Sequence, residues 1–247
     1  MPSAPVALAL SPHLDDAAFS CGGTLARLAQ SGWRVVVATV FTRSVLNPTG
    51  FALACQTDKG IAADIDYMAL RRAEDAAAMA WLGVEPLWLD FPEAPHRGYG
   101  SAAELFGDVS AGDEGDVGGV KSSLAAAIRM LLTELAPRIV LAPQAIGGHV
   151  DHRLLVQAME GLVCNASILW WRDFPYSARP QARQPLAENF LTLDEICVDA
   201  AATEGPRNRA CAAYESQLGY QFGGAAGLAA QLAETGTQER FRLSGPR

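Results

Sequence analysis

Two short segments of the sequence combine histidine with aspartate at a three-residue spacing. The first is "HLDD", from His13 to Asp16, and the second is "HVDH", from His149 to His152. The chain has 4 histidines, and three of them lie in these two segments. Two histidines and one carboxylate form an open ligand set for catalytic zinc. Because zinc brings the pKa of water towards neutrality, the two segments predict metal-assisted hydrolysis.

The first segment places two carboxylates, Asp15 and Asp16, next to each other. Adjacent carboxylates repel, and their burial costs free energy unless a cation offsets the charge. A turn brings His13 and Asp16 to one side, and the same spacing applies to His149 and His152. Asp15 then faces another part of the pocket and is free to accept a proton. The alternative is that both segments only cap helices, since Asp favours helix N-termini.

The two segments follow predicted strands, and the chain around them alternates between strand and helix patterns. Apolar and β-branched runs predict strands over residues 6–11, 34–41, 85–91, 138–143 and 167–176. Helical spacing predicts helices over residues 18–30, 68–83 and 120–137, and a loop followed by a helix over 147–163. This alternation predicts the α/β class, with a doubly wound, mostly parallel sheet and helices on both faces. Such sheets bind ligands beyond the carboxyl ends of their strands, where both segments lie.

The connecting and C-terminal segments have weaker patterns. Glycine, proline and aspartate predict loops over residues 44–64, 92–119 and 178–184. A strand over 190–198 and a helix over 207–219 complete the prediction. No repeat or shift in composition marks a second unit, so residues 1–247 are expected to form a single domain.

Composition excludes several classes of partner. The chain has 247 residues and a formal net charge of -8, which argues against nucleic acid or an anionic membrane as the main partner. The 5 cysteines are scattered and form no C-x-x-C pair, which predicts reduced thiols in a cytoplasmic protein. We expect neither a signal peptide nor a membrane span, because the longest apolar runs are far shorter than the roughly 20 residues that a span requires.

Four stretches of the sequence carry a family resemblance. They are "SPHLDDAAFSCGGTLARLAQSG", "RRAEDAAAMAWLG", "APQAIGGHVDHRLLV" and "AYESQL", in this order along the chain. Together they resemble the LmbE-like (PIG-L) deacetylase family over most of the chain. The resemblance implies a Rossmann-like fold and zinc-dependent hydrolysis of N-acyl amides, typically the N-acetyl groups of glucosamine-type sugars.

The resemblance also implies a role for each residue of the two segments. His13, Asp16 and His152 are the implied Zn²⁺ ligands, although Fe²⁺, Co²⁺ and Mn²⁺ suit similar ligand sets. Asp15 is the implied general base that deprotonates the zinc-activated water. His149 either stabilises the tetrahedral oxyanion or protonates the departing amine, and both roles stay open.

A third carboxylate and several charged residues complete the implied site. Asp151 is expected to orient the imidazole of His149, as carboxylates do for histidines in catalytic sites. Arg71 resembles a family arginine that holds sugar hydroxyls, with a solvated helix charge as the alternative. Glu93 and Arg97, with His96 between them, follow the third predicted strand, and we expect one of these three to contact substrate.

Four further residues are singled out with less specific expectations. Asp173 and Tyr176 lie in the polar end of the fifth predicted strand and are pocket candidates. Arg72 and Glu74 lie on the same predicted helix as Arg71 and are expected to have structural roles.

Three alternatives remain at the level of function. The enzyme could instead cleave a larger N-acyl group or a thiol-sugar conjugate. The fold could also serve as a non-catalytic module that binds a sugar, but such a module has no need of a free carboxylate at Asp15. A serine hydrolase would require a nucleophile motif such as G-x-S-x-G, which the sequence lacks. The sequence leaves the oligomeric state open, and a homo-oligomer is compatible with it.

Overall fold

The computed structural model of the protein describes residues 3–115, 118–180, 186 and 189–246. Within these residues, one sheet runs through the molecule. Its strands are β1 (Val6–Ser11), β2 (Arg34–Thr39), β3 (Glu85–Trp88), β4 (Ile139–Pro143), β5 (Ser167–Trp171), β6 (Asp194–Asp199) and β7 (Gln238–Ser244). The strand order is β3-β2-β1-β4-β5-β7-β6. The first five of these strands are parallel to one another, whereas β7 runs antiparallel to both of its neighbours. The mostly parallel sheet is therefore confirmed.

Helices connect the strands in the described part of the chain. They are α1 (Asp16–Gln30), α2 (Gly50–Thr57), α3 (Tyr67–Leu82), α4 (Ala102–Leu105), α5 (Ala111–Glu114), α6 (Val120–Leu135), α7 (Val150–Met159), α8 (Asn189–Thr192), α9 (Glu204–Ala212), α10 (Glu215–Phe222) and α11 (Ala225–Thr235). Short 3-10 helices lie at Ala94–Arg97, Tyr176–Ala178 and Ala201–Thr203. Among the described residues, no helix has both the length and the apolar character needed to cross a bilayer.

Apolar side chains fill both faces of the sheet. Ala7 and Ala9 of β1 belong to a core that includes residues of α1, α3, α9, α10 and α11. Leu8 and Leu10, which alternate with them, belong to a second core with residues of α6 and α7. Alternate strand residues point to opposite faces, and full burial of one leucine contributes roughly 1.5–3 kcal/mol. The continuous apolar run of β1 therefore reflects a strand covered on both sides.

The sheet reverses its order between β1 and β4, and this arrangement opens a crevice at their carboxyl ends. From β1 the chain continues to β2 and β3 on one side, whereas β4 and β5 pair on the other side. Helices α1 and α7 both begin at this edge, within the two histidine segments. Ser11 fixes the first turn, because its hydroxyl accepts the Ala17 N–H at 3.1 Å and donates to the His13 carbonyl at 2.6 Å. The crevice at the strand-order reversal is where doubly wound sheets bind ligands.

The structure differs from the predicted elements in several places. Residues 44–64 are not a continuous loop, because α2 begins at Gly50 and occupies the middle of this segment. Residues 92–119 contain three short helical turns, and of the predicted loop 178–184, residues 181–184 lie outside the described part of the chain. The predicted strand 190–198 is split into α8 and β6, and the predicted helix 207–219 is split into α9 and α10. Local sequence patterns did not predict α11 or β7. The partners of β7 are β5 and β6, which lie far from it in the sequence.

A buried carboxylate in α3 predicts a pH-dependent stability. Asp75 is fully buried and accepts hydrogen bonds from Trp88 Nε1 (2.7 Å) and Tyr214 Oη (2.7 Å). Burial raises the pKa of Asp75 to about 6, against the effect of these hydrogen bonds. Because the folded pKa exceeds the unfolded value, folding favours the protonated form, and the penalty of the charged form disappears as pH falls. As the pH is lowered from about 7.5 to about 4.5, the free energy of unfolding of the wild type should rise by roughly 2 kcal/mol relative to that of Asp75→Asn. Urea unfolding at the two pH values measures this difference, and an equal difference at both would contradict the prediction.

Candidate active site

The three predicted ligands converge, although His152 is far from His13 and Asp16 in the chain. His13 Nδ1 lies 3.1 Å from Asp16 Oδ2, and His152 Nε2 lies 3.2 Å from the same oxygen. One potential ligand atom from each of the three residues lies within 4.8 Å of the others. The loop after β1 supplies His13, the first turn of α1 supplies Asp16, and the first turn of α7 supplies His152. The structure thus brings the two histidine segments to one point.

Each of the two histidines in this cluster is held from behind by a buried carboxylate. Asp173 Oδ1 lies 2.8 Å from His152 Nδ1, and Asp151 Oδ2 lies 2.9 Å from His13 Nε2. A hydrogen bond at one ring nitrogen leaves the other nitrogen of a neutral imidazole with a free lone pair. His152 Nε2 is buried, and its 3.2 Å contact with Asp16 Oδ2 lacks the geometry of a hydrogen bond, so this nitrogen has no hydrogen-bond partner among the described residues. A buried nitrogen without a hydrogen-bond partner, close to a carboxylate and a second imidazole, is suited to binding a divalent cation. Asp173 and Asp151 would then orient the two imidazoles.

A second set of potential ligands, His13, His149 and Asp151, also lies within 4.8 Å. The Asp151 carboxylate is already neutralised, since Oδ1 accepts from Arg97 Nη2 at 2.7 Å. Its other oxygen accepts the Ala94 N–H at 3.2 Å in addition to contacting His13. A cation bound to Asp151 would compete with this guanidinium. The set formed by His13, Asp16 and His152 is therefore the better metal site.

Asp15 lies beside the cluster and is held by two donors. Its side chain is 3% exposed, and Oδ1 lies 3.1 Å from Arg71 Nη2. Oδ2 accepts a hydrogen bond from Gln221 Nε2 at 2.9 Å. Burial raises the pKa of Asp15, and the charge of Arg71 acts in the opposite direction. Arg71 also donates to Glu93 at 2.6 Å, so the guanidinium joins two carboxylates of the pocket wall.

The imidazole of His149 lines the pocket on the other side of the cluster. His149 Nδ1 accepts the backbone N–H of Asp151 at 3.2 Å. This contact assigns the ring proton of the neutral form to Nε2. Burial lowers the pKa of His149 to about 3, against the opposing charge of Asp151. His149 is therefore a neutral imidazole with an N–H that can donate to a bound ligand.

His13, Asp15, Asp16 and His149 line a cavity of about 200 Å³. Aromatic side chains form much of its wall and include Tyr67, Phe106, Tyr176 and Tyr220. Gly147 adopts φ of 94°, and a Cβ there would come within 2.8 Å of the Tyr176 ring. Glycine at this position therefore allows the Tyr176 ring to pack closely against the loop before α7. Aromatic walls with convergent polar groups at the base are typical of a small-molecule site.

Comparison with known proteins identifies the family. The family model described as PIG-L, GlcNAc-PI de-N-acetylase, matches residues 8–186, which is more than half of the chain. The chain belongs to the PIG-L family. The match confirms the resemblance that the two histidine segments indicated.

Two relatives of this PIG-L protein are named 2'-N-acetylparomamine deacetylase. The one from Streptomyces fradiae is 35% identical over 178 residues, which are 71% of this chain and 59% of the relative. The one from Niallia circulans is 33% identical over 187 residues, which are 68% of this chain and 66% of the relative. The matched part of this chain thus spans 59% of the first relative's length.

Solved structures of the PIG-L fold superpose over nearly the whole chain. The zinc-inhibited form of teicoplanin deacetylase Orf2 has a TM-score of 0.81 and 26% identity, covering 96% of this chain and 97% of that one. The A40926 pseudoaglycone deacetylase Dbv21 has a TM-score of 0.76 and 27% identity, covering 100% of this chain and 99% of that one. These similarities confirm the Rossmann-like α/β fold.

Two of the residues singled out from the sequence have buried partners in this PIG-L protein. Arg97 was one of three residues of which one was expected to contact substrate; its side chain is 5% exposed and lies between Asp151 and Asp113. Asp151 was expected to orient His149, and its backbone N–H donates to His149 Nδ1 at 3.2 Å, whereas its carboxylate Oδ2 lies 4.0 Å from that nitrogen and 2.9 Å from His13 Nε2. Buried carboxylates pair with the strongest available donors, and the guanidinium of Arg97 is such a donor.

Other residues singled out from the sequence lie as follows. Arg71 and Glu93 line the cavity, as does Tyr176. His96 is half-buried, and its backbone N–H donates to the Glu93 carbonyl. The two residues expected to be structural make such contacts: Arg72 donates to the Thr42 carbonyl and Ser44 Oγ, and Glu74 accepts from Ser216 N and Oγ.

Residues of α10 were missing from the predicted site. Gln217 and Gln221 both line the cavity of this PIG-L protein. Their spacing of four residues places both side chains on one face of a helix, which is a signal that the sequence contained. The sequence did not predict that this helix face contacts Asp15, because the hydrogen bond between Gln221 and Asp15 joins residues 206 positions apart.

The contact between Asp173 and His152 leads to a prediction for metal affinity. Asp173→Asn keeps the side-chain volume but removes the carboxylate that holds His152 Nδ1. We expect zinc affinity to fall about 10- to 100-fold, as for other carboxylates behind a ligand histidine. Competition with a fluorescent chelator measures the affinity, and Asp108→Asn serves as the control because its side chain is 98% exposed. An unchanged affinity would remove Asp173 from the support of the metal site.

Proposed function

We propose that the protein is a metal-dependent hydrolase that removes an N-acetyl or other N-acyl group from an amino sugar or sugar conjugate. The observation that carries this proposal is the cluster of His13, Asp16 and His152 beside the buried carboxylate of Asp15. The names of the relatives, deacetylases of 2'-N-acetylparomamine and of teicoplanin, support the reaction class. Because the match spans only part of these relatives, the substrate class is kept broad.

The proposed metal is Zn²⁺, held by His13, Asp16 and His152. In such a ligand set, zinc polarises a carbonyl and makes hydroxide accessible near neutral pH. The naming of a related structure as a zinc-inhibited form supports zinc binding and suggests that excess zinc inhibits. Asp151 and Asp173 hold the outer ring nitrogens of the two histidines and thereby orient them.

Asp15 is the proposed general base. It accepts a proton from the water that attacks the amide carbon, and the proton is then passed to the nitrogen as the C–N bond breaks. The products are the carboxylate of the acyl group and a free amine. His149 is the proposed donor to the oxyanion, supported by the proton on its Nε2 and by its low pKa, which disfavours a charged acid. A positioned donor to an oxyanion contributes about 10²- to 10³-fold to the rate.

The sugar is proposed to bind in the cavity above these residues. Arg71 and Glu93 present charged groups that can hydrogen-bond sugar hydroxyls, and the aromatic wall offers faces for the sugar ring. Arg97 contributes indirectly, since it neutralises Asp151 from the buried side. We also propose a cytoplasmic location, which the five free cysteines support.

A panel of N-acylated substrates tests the proposed function. N-acetylated aminoglycosides, N-acyl glycopeptides, nucleotide-linked N-acetylglucosamine and thiol-linked N-acetylglucosamine are incubated with purified protein, and the released amine is quantified. We expect release from at least one substrate, its loss with a chelator and its recovery with one equivalent of zinc. Zinc is titrated upwards because excess metal is expected to inhibit. Release that persists undiminished after complete metal removal would contradict the proposal, and tight binding without release would favour the sugar-binding module.

A further inference from the structure

We propose that Gln221 is a positioning residue that holds Asp15 in its reactive orientation, an inference that rests on the proposed function. Gln221 lies near the end of α10, beyond the segment that the family model matches. Its amide Nε2 donates to Asp15 Oδ2 at 2.9 Å.

The two oxygens of Asp15 are held from two different helices. Oδ1 faces Arg71 of α3 at 3.1 Å, and Oδ2 faces Gln221 of α10. One donor leaves a carboxylate free to rotate about its Cβ–Cγ bond, whereas two donors on separate oxygens define its plane. Arg71 is itself shared with Glu93, so Gln221 is the donor that completes the orientation.

Other contacts anchor α10, so the Gln221 side chain is not needed to dock the helix. Glu74 of α3 accepts the Ser216 N–H and hydroxyl, each at 2.7 Å. Gln217 Nε2 donates to the Tyr67 hydroxyl at 3.0 Å. Both contacts join the first turns of α10 to α3. Gln221 reaches past them to Asp15, so its amide contributes to the site rather than to the attachment of the helix.

The expected consequence is a defect in turnover rather than in binding. A general base must lie within hydrogen-bond reach of the proton that it takes. If the carboxylate rotates, it spends less time in that position, while the sugar still contacts the rest of the cavity. A displacement of about 1 Å at a catalytic group can cost on the order of 100-fold in rate.

Gln221→Met and Gln221→Glu test the proposal. Methionine preserves length and volume without the N–H donor, and glutamate replaces the donor by an acceptor. Gln231→Met on α11 is the matched control, because it makes the same exchange on a neighbouring helix. We measure kcat, KM, zinc content and thermal midpoint with the best substrate of the panel. We expect both Gln221 variants to lose about 10- to 100-fold in kcat, while KM changes less than about threefold. Zinc content and thermal midpoint should match those of the control.

The outcomes separate this proposal from the proposed function. Wild-type turnover together with a kcat for Gln221→Met within about twofold of wild type would overturn the positioning role and leave the hydrolase intact. A loss of kcat that parallels a loss of zinc or of thermal midpoint would assign Gln221 a structural role and would also overturn the proposal. Absence of wild-type turnover on every substrate would overturn both proposals together.

Discussion

We expect His152→Ala to lose the proposed metal and, with it, the proposed hydrolase activity. His152 is fully buried and is the only residue of α7 in the proposed ligand set, so its removal leaves only His13 and Asp16. We expect less than one tenth of an equivalent of zinc after dialysis and a fall in kcat/KM of more than about 1000-fold, exceeding the ~10- to 100-fold cost of losing a supporting carboxylate.

The metal content of His152→Ala is measured by plasma emission spectroscopy, and turnover by amine release. His96→Ala is the matched control, because His96 is the histidine that lies in neither of the two segments. We expect the control to retain one equivalent of zinc. A full equivalent in His152→Ala would show that a different set of residues holds the metal, and the set of His13, His149 and Asp151 would then be tested next.

Asp15→Asn separates metal binding from proton transfer. Asparagine has nearly the same shape, and its side-chain oxygen can still accept from Arg71 or Gln221. It cannot take a proton from water, so we expect kcat to fall about 10²- to 10⁴-fold. Zinc content should stay at one equivalent, since the three proposed ligands are unchanged.

Asp75→Asn is the control for this exchange. Asp75 is another fully buried carboxylate, and it lies on the same helix as Arg71, in contact with Trp88 and Tyr214. We expect its kcat to stay close to that of the wild type. Near-normal turnover of Asp15→Asn would exclude Asp15 as the base, and a loss of zinc in that variant would instead make it part of the metal site.

The metal site illustrates how far local spacing can predict tertiary contacts. His13 and Asp16 are three residues apart, and one turn brings them together whatever the rest of the fold does. His152 reaches the same point because both segments follow neighbouring parallel strands, β1 and β4. Strand patterns predicted both strands, and the family resemblance implied the shared ligand set, but only the structure shows that β1 and β4 are neighbours.

The partners of each site residue were harder to predict. Asp151 was expected to act on His149, two residues away, yet its carboxylate contacts His13, 138 residues away. Arg97 was one of three candidates for a substrate contact, and the structure pairs it with Asp151 and Asp113 in the interior. Several donors compete for each buried carboxylate, and the outcome depends on the distance and direction of every one of them.

The sequence by itself determined the features on which the proposed chemistry rests: the ligand types, the second carboxylate at Asp15 and the strand ends that carry them. These features depend on neighbours within one turn or one strand, and the chain imposes such proximity directly. Only the tertiary structure decided which carboxylate supports which histidine and that α10 reaches Asp15 with Gln221. Those contacts join residues far apart in the chain, and the packing of helices on the sheet sets their geometry.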